Sequence, residues 1–177
     1  MKSRLFVICS LLVVGSLASA KTRSDVSPVA SKRIQKEVRH ELMMLPFLSV
    51  FDNLLYQVEG SDVTLVGQVS RPTLKSEAET VVKRIEGVER VNNQIEVLPV
   101  LPLDNTLRLR LYQAIYGYAP LQKYALGVNK PIRIIVKNGH VTLEGVIDSE
   151  VDKNIAGLRA NGVADVFSVV NNLKITN

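Results

Sequence analysis

The stretch Val63-Thr64-Leu65-Val66-Gly67 decides the fold of this chain, because it returns in the second half as Val141-Thr142-Leu143-Glu144-Gly145. One constant offset aligns residues 54–95 with residues 132–173 without a gap. Self-similarity at a fixed period indicates a structural unit that has been duplicated. The sequence therefore predicts two copies of one module.

A β-hairpin is predicted at the centre of each copy. Apolar residues occupy every second position on both sides of a two-residue turn, which is the periodicity of half-buried paired strands. The turn residues are Gly60-Ser61 in the first copy, typical of a type II′ turn, and Asn138-Gly139 in the second, typical of type I′. Turns of these types fix the register of each hairpin.

That register places Leu54 opposite Gly67 in the first copy and Ile132 opposite Gly145 in the second. Both glycines then lie on the apolar face of the sheet, where a missing side chain lets a helix approach closely. A packing role is therefore predicted for the two glycines. A β-bulge or a ligand groove at these positions is the alternative.

An amphipathic helix is predicted before and after each hairpin, from apolar residues at the spacing of one helix face. In the first copy these apolar stripes are Ile34, Val38, Leu42 and Leu45, then Leu74, Ala78, Val81, Val82 and Ile85. In the second copy they are Leu107, Leu111, Ala114 and Ile115, then Ile155, Ala156, Ala160 and Val163. Ser31 is the candidate N-cap of the first helix, and Asp104 or Asn105 has that place in the second copy.

A third apolar strand follows the second helix of each copy, so each module has the order α, β, β, α, β. Two helices on one face of a three-stranded sheet would bury both helical stripes. The predicted fold class is therefore α+β, with two tandem αββαβ modules at residues 31–98 and 104–177. Residues 99–103, which include two prolines, form the predicted linker.

Residues 1–20 have the pattern of a secretory signal peptide: Lys2 and Arg4, an apolar run, and small residues at the cleavage site. The apolar run is shorter than the roughly 20 residues of a transmembrane helix, and no later segment approaches that length. We therefore expect secretion across the inner membrane into the periplasm, and no transmembrane span in the mature chain. Residues 21–30 are predicted to be a flexible leader. Cys9 is the only cysteine, so the mature chain has no disulfide.

The hairpin of each copy, together with the residues that follow it, resembles a known family. The pattern Val-Thr-Leu-x-Gly-x-Val, an amphipathic helix, and then residues 87–95 is similar to the BON domain, which is named for osmotically inducible and nodulation proteins of bacteria. The second copy differs in having Asp165 where the first has Gly87. The resemblance implies a periplasmic, non-enzymatic module of αββαβ fold that is associated with envelope stress. In some two-module members it also implies binding of anionic phospholipid near the second copy.

Residues suited to catalysis are scarce. The mature sequence has two histidines, no cysteine, and none of the spacings that indicate a metal site, a nucleophile elbow or a phosphate-binding loop. His40 is predicted to be a solvated helix residue and His140 a hairpin-end residue. The sequence therefore predicts no enzyme activity, no catalytic residue, no cofactor and no metal.

The first helix of the second copy is where the two copies differ most. Leu109, Tyr112 and Tyr116 fall on the side opposite the core stripe, where the first copy has Lys36, Arg39 and Met43. Residues 105–143 contain six basic residues and no acidic residue. The candidate lipid or partner surface consists of Arg108, Leu109, Arg110, Tyr112, Tyr116, Lys123 and Tyr124.

Three interpretations of this candidate surface remain open. It packs between the two copies, it binds anionic phospholipid with tyrosine rings at headgroup depth, or it binds a partner protein. Nucleic acid is disfavoured, because the signal peptide takes the protein away from it. The functional prediction is an envelope protein that acts by binding, through protein contacts or chaperone-like holding. The alternative is peripheral binding to anionic phospholipid through the second copy.

Overall fold

A computed structural model describes residues 28–127 and 129–176 of the chain. The predicted signal peptide and residues 21–27 of the predicted leader lie outside the described residues. The first module contains α1 (Pro28–Met43), β1 (Asn53–Glu59), β2 (Asp62–Val69), α2 (Pro72–Lys83), β3 (Arg90–Asn93) and β4 (Glu96–Val97). The second contains α3 (Pro102–Tyr116), a 3-10 helix (Ala119–Ala125), β5 (Ile132–Lys137), β6 (His140–Ile147), α4 (Glu150–Asn161), β7 (Ser168–Asn171) and β8 (Lys174–Ile175).

The predicted α+β fold of two tandem αββαβ modules is confirmed. In the first module β2 is the central strand, antiparallel to β1 and parallel to β3 and β4. In the second module β6 has the same place between β5 on one side and β7 and β8 on the other. The predicted third strand of each module is thus divided into two short pieces.

An asparagine divides the third strand in both modules. The side-chain oxygen of Asn93 accepts from the backbone N–H of Ile95, and its amide donates to the carbonyl of Lys75 in α2. Asn171, the equivalent residue of the second module, accepts from Leu173 and donates to Lys153 in α4 in the same way. A side chain that bonds its own backbone offers the chain an alternative to the strand ladder.

The predicted helical stripes form two hydrophobic cores, one in each module. The first core includes Ile34, Val38, Leu42, Leu45, Leu74, Ala78, Val82 and Ile85, all of them buried. The second includes Leu107, Leu111, Ile115, Ala156 and Ala160, with Ile155 and Val163 packed against it. Both helices of each module therefore cover the inner face of its sheet.

Several predicted helix starts are wrong. The helix α1 already contains residues 28–30, so Ser31 is not its N-cap and the predicted leader extends too far. The helix α3 begins at Pro102 with Leu101 as its N-cap, so neither Asp104 nor Asn105 caps it and the predicted linker 99–103 is too long. Proline is well suited to the first turn of a helix, because its missing N–H and fixed φ cost nothing there.

The hairpin registers are confirmed. Leu54 stands opposite Gly67, and Ile132 stands opposite Gly145. The turns are also confirmed, because Gly60 has a positive φ of 66°, as a type II′ turn needs at its first central residue. Asn138 and Gly139 both have positive φ, at 54° and 77°, as a type I′ turn needs.

The predicted reason for Gly67 and Gly145 is wrong, because backbone rather than a helix fills the space beside them. A Cβ at Gly67 would lie 1.9 Å from the carbonyl oxygen of Asn53, and one at Gly145 would lie 1.9 Å from that of Pro131. Both glycines also have positive φ, at 115° and 126°. The neighbouring strand and the local backbone conformation, not helix packing, therefore require glycine here.

Candidate functional site

The seven residues of the candidate surface do not form one surface. Arg108, Tyr116 and Tyr124 are buried, whereas Leu109 is 63% exposed. The connection between α3 and β5, which includes the 3-10 helix, packs beside α3 and contributes Leu121 to the core of the second module. This longer connection covers a helix side that the helical periodicity alone predicts to be free.

Tyr116 closes the beginning of β5. Its hydroxyl donates to the carbonyl oxygen of Ile132 at 2.6 Å and accepts from the backbone N–H of the same residue at 3.0 Å. Burial raises the pKa of the Tyr116 hydroxyl well above its ordinary value. The hydroxyl is therefore a structural bridge to a strand edge, and it is not available to a lipid headgroup.

Arg108 closes the other end of the same strand. Its Nη2 donates to the carbonyl oxygen of Val136 at 2.9 Å, and its Nη1 donates to the side chain of Asn105 at 2.6 Å. Its Nε is buried and has no hydrogen-bond partner among the described residues. Burial lowers the pKa of the Arg108 guanidinium, while the charges of Asp104 and Asp52 oppose that change.

Asp104 fixes the tip of the second hairpin instead of capping a helix. It is fully buried, and its two carboxylate oxygens accept from the backbone N–H groups of Asn138 and Gly139, each at 2.9 Å. Two charge-assisted bonds to one turn hold the hairpin against α3. The carboxylate of Asp104, predicted from the sequence to be an N-cap, therefore bonds the backbone of the hairpin turn and not that of a helix N-terminus.

Tyr112 lies at the contact between the two modules. Its ring centroid is 6.5 Å from that of Phe51 and 5.1 Å from that of Tyr116. Phe51 and Val50 belong to the loop between α1 and β1, yet they pack against the core of the second module. The carbonyl oxygen of Val50 also accepts from the backbone N–H of Ile134 in β5 at 2.7 Å. Tyr112 thus takes part in packing between the copies.

Lys123 and Tyr124 belong to a polar cluster at the start of α4. The ammonium group of Lys123 lies 2.8 Å from Asp152 and 3.3 Å from Asp148, and the Tyr124 hydroxyl donates to Asp152 at 2.7 Å. Lys123, followed by Tyr124, lowers the pKa of the Asp152 carboxyl, and Asp152 in turn raises the pKa of Lys123. Ser149 is the N-cap of α4 and accepts from the backbone N–H of Asp152. The ammonium group of Lys123 is therefore paired with carboxylates of its own module.

Arg110 also has an internal partner, because its guanidinium lies 2.9 Å from the carboxylate of Asp165. Asp165 has a positive φ of 70°, as Gly87 has at the equivalent position of the first module, where φ is 88°. Aspartate tolerates this left-handed conformation better than most residues. Aspartate in place of glycine at this position therefore preserves the turn and adds an ion-pair partner for Arg110.

The structure brings Arg108 and Leu109 together with residues of the first module. They line a groove of about 580 Å³ between the modules, which we call the inter-module groove. Its other lining residues are Phe47, Ser49, Phe51, Ser70, Arg71, Pro72, Pro99, Val100 and Asn105. The charged residues of this lining are Arg71 and Arg108, and the carboxylate of Asp52 accepts from the lining residues Ser49 and Ser70.

Phe47 is the most unusual residue of the inter-module groove. It is 67% exposed and has a positive φ of 66°, a conformation that bulky residues rarely adopt. The guanidinium carbon of Arg71 lies 5.0 Å from the centroid of its ring. The sequence predictions missed Phe47, Arg71 and Val100, because residues of a loop and a linker come together only when the two modules pack.

The described residues offer no metal site, since nowhere in residues 28–127 and 129–176 do three or more His, Cys, Asp or Glu side chains converge to hold an ion. His140 is exposed at the hairpin end, with its Nδ1 2.7 Å from the hydroxyl of Ser168. No helix in the same described ranges is both long and apolar enough to cross a membrane.

Among the solved structures similar to this chain are two of CdsD, a structural protein of the Type III secretion system of Chlamydia trachomatis. The C-terminal domain of CdsD is 14% identical, with a TM-score of 0.30, covering 80% of this chain and 96% of that chain. A second CdsD structure is 13% identical, with a TM-score of 0.29, covering 81% of this chain and 92% of that chain. A search of curated proteins found no match.

The family model of the BON domain matches residues 31–99 and 123–177, which together make up more than half of the chain. The second matched segment begins after α3, so the helix in which the copies differ most lies outside it. BON domains are non-catalytic binding modules, typically of periplasmic or envelope-associated proteins. The chain therefore belongs to the BON domain family, with two BON domains in tandem.

Proposed function

We propose that this protein acts in the periplasm without catalysis, by holding an exposed apolar segment of another envelope protein in the inter-module groove. The observation that carries the proposal is the exposure of three large apolar side chains around one groove. Phe47 is 67% exposed, Val100 73% and Leu109 63%. Clustered exposed apolar groups are typical of an interaction surface, whereas single ones are ordinary.

The size and charge of the groove support a polypeptide segment as its occupant. A groove of about 580 Å³ lies within the range of sites that enclose a few side chains. Arg71 lines the groove beside Phe47. Its guanidinium favours a segment that carries a carboxylate next to its apolar residues, because the two groups can form a charge-assisted pair.

A permanently unfolded acidic polypeptide provides the test. Binding of fluorescently labelled, reduced and carboxymethylated lactalbumin is measured by anisotropy for the wild type and for the double variant Val100→Asp/Leu109→Asp. We expect the variant to bind at least tenfold more weakly, since it places two charges in the apolar part of the groove. The matched control is Val151→Asp/Leu158→Asp, which changes two similarly exposed apolar residues of α4. Equal affinities for both variants would contradict the proposal.

Peripheral binding to anionic phospholipid is the second candidate. The observation that favours it is the same exposure of Phe47, Val100 and Leu109 beside Arg71, since apolar side chains next to a cation match a membrane surface with anionic headgroups. Arg108, Tyr116 and Tyr124 no longer contribute to this candidate, because they are buried.

Flotation with vesicles separates the two candidates. Lipid binding requires flotation with vesicles of phosphatidylglycerol and phosphatidylethanolamine that falls as salt rises and is lost in Val100→Asp/Leu109→Asp. Binding of the unfolded polypeptide without flotation at low salt supports the protein partner and removes the lipid candidate. Flotation without binding of the polypeptide would reverse that choice.

A further inference from the structure

The outer edge of β1 has no partner strand within the described residues. In a hairpin with a two-residue turn, alternate residues bond the partner strand, and the residues between them direct N–H and C=O groups away from it. Glu59 and Asp62 flank the turn. The residues of β1 whose backbone N–H and C=O groups point away from β2 are therefore Leu54, Tyr56 and Val58. Within residues 28–127 and 129–176, no donor or acceptor bonds the outward backbone groups of these three residues.

The equivalent edge of the second module is closed. Counting from its own turn, the outward residues of β5 are Ile132, Ile134 and Val136. The Tyr116 hydroxyl bonds both backbone groups of Ile132, Val50 accepts from the N–H of Ile134, and Arg108 donates to the carbonyl of Val136. Among the described residues, the same hairpin therefore has a bonded edge in one module and an unbonded edge in the other.

Part of the difference follows from two positions on the first helix of each module. When the core stripes of α1 and α3 are aligned, Gln35 stands where α3 has Arg108, and Met43 stands where it has Tyr116. A methionine cannot bridge an N–H and a C=O group as the Tyr116 hydroxyl does. Gln35 could donate, but its side chain makes no hydrogen bond to β1 within the described residues.

The outer face beside this edge has one apolar pair, between the polar residues Asn53 and Gln57 of β1. Where the second module has the opposed pair Arg133 and Glu144, the first has Leu55 and Val66, with Leu55 52% exposed. The strand β1 is seven residues long and contains no lysine and no proline, the residues that usually protect an edge strand. The opposite edge of each sheet is already protected by its division into two short pieces.

We propose that β1 pairs antiparallel with β1 of a second copy of this chain. A two-fold axis at Tyr56 places each Tyr56 opposite its equivalent, and places Leu54 opposite Val58 of the second copy, so that all outward groups bond. Glu59, the only charged residue of β1, then stands opposite Asn53 and not opposite another carboxylate. The strand is thus self-complementary in charge, as an isologous interface requires.

Sedimentation velocity over a wide range of protein concentration is the first test. We expect a dimer of the wild-type protein and at least a tenfold increase in dissociation constant for Leu55→Lys/Gln57→Lys. In the proposed register the two new side chains stand opposite each other across the axis, where like charges repel. The control Val151→Lys/Leu158→Lys adds the same charge on α4 and should remain dimeric. A wild-type monomer at every concentration, or loss of the dimer in the control alone, would overturn the proposal.

Amide hydrogen exchange of the wild-type protein tests the interface without any variant. The amides of Leu54, Tyr56 and Val58 should exchange slowly at concentrations where the dimer forms and quickly where it dissociates. The amides of Leu55 and Gln57, which bond β2, should be protected at both concentrations. A dimer in which the amides of Leu54, Tyr56 and Val58 remain unprotected would place the interface elsewhere and contradict the proposal.

Discussion

The two modules share one scaffold but treat its exposed strand edge differently. In the second module Tyr116, Arg108 and the Val50 carbonyl bond the outward backbone groups of β5. In the first module the corresponding groups of β1 have no partner in the described part of the chain. The duplicated modules thus differ in whether other described residues bond the outward backbone groups of this edge strand.

The modules also differ in how they connect the first helix to the hairpin. In the first module this loop extends onto the other module, where Phe51 contacts Tyr112 and Ser49 accepts from the guanidinium of Arg133. In the second module the corresponding connection forms a 3-10 helix that packs beside its own α3. One connection therefore joins the modules, and the other covers a helix.

The shared part of the scaffold should show the largest effects. Gly67→Ala and Gly145→Ala should each lower the free energy of unfolding by about 3 kcal/mol or more, because a Cβ would both meet a carbonyl oxygen and strain the backbone. Urea unfolding measures the change. Gly127→Ala is the control, since it has positive φ but no atom within 4 Å of the added Cβ. A loss in the control as large as in the other two would assign the effect to backbone strain alone.

Closure of the β5 edge predicts the next largest effect. Tyr116→Phe should destabilise the second module by about 2–3 kcal/mol, because it leaves the buried N–H and C=O groups of Ile132 without a partner. Chemical denaturation gives the stability, and hydrogen exchange should report faster opening at Ile132. Tyr118→Phe, at a half-exposed tyrosine nearby, should change stability by less than about 0.5 kcal/mol. Similar small losses in both variants would show that the hydroxyl does not close the edge.

The repeat and its hairpins were predictable from sequence because they depend on local spacing. Two-residue turns and alternating apolar residues determine which residues stand opposite each other, and the observed pairing of Leu54 with Gly67 follows from them. The helical stripes were predictable for the same reason. The helix starts were not, because Pro102 suits a first turn as well as it suits a linker.

The candidate site was only partly predictable. Helical periodicity places Tyr116 away from the core stripe, but it carries no information about the chain segment that later folds beside that side. The groove residues Phe47 and Val100 come from different parts of the chain, and sequence spacing cannot bring them together. The differences between the copies drew attention to α3, where Arg108 and Tyr116 bond the edge of β5 and Leu109 lines the inter-module groove.

The contact between the modules predicts a smaller effect of a different kind. Phe51→Ala should cost about 1–2 kcal/mol, because it removes a half-buried ring from Tyr112 and from the core of the second module. It should also separate one unfolding transition into two, which calorimetry would detect. Phe167→Ala, at an exposed ring of the second module, is the control and should leave a single transition. A single transition in both variants would indicate that Phe51 does not couple the modules.

The smallest expected effect is a pH dependence of stability, at a core position where the two modules have different residues. The first module has the buried Leu74 where the second has Asp152, whose pKa Lys123 and Tyr124 hold below the ordinary aspartate value near 3.8. A carboxyl whose pKa is lowered by folding stabilises the folded state above its unfolded pKa, and this contribution is lost as the pH falls through the folded pKa.

Asp152→Asn should therefore lower the midpoint of thermal unfolding at neutral pH, and the difference from wild type should shrink as the pH falls below about 4. The control is Asp148→Asn, which removes the more exposed of the two carboxylates beside Lys123 and should have little effect at any pH. If the Asp152→Asn difference stayed constant from neutral to acid pH, the charge of Asp152 would not be what stabilises this end of α4. In that case the hydrogen bonds of Asp152, and not its charge, would explain why the second module has a polar residue at this core position.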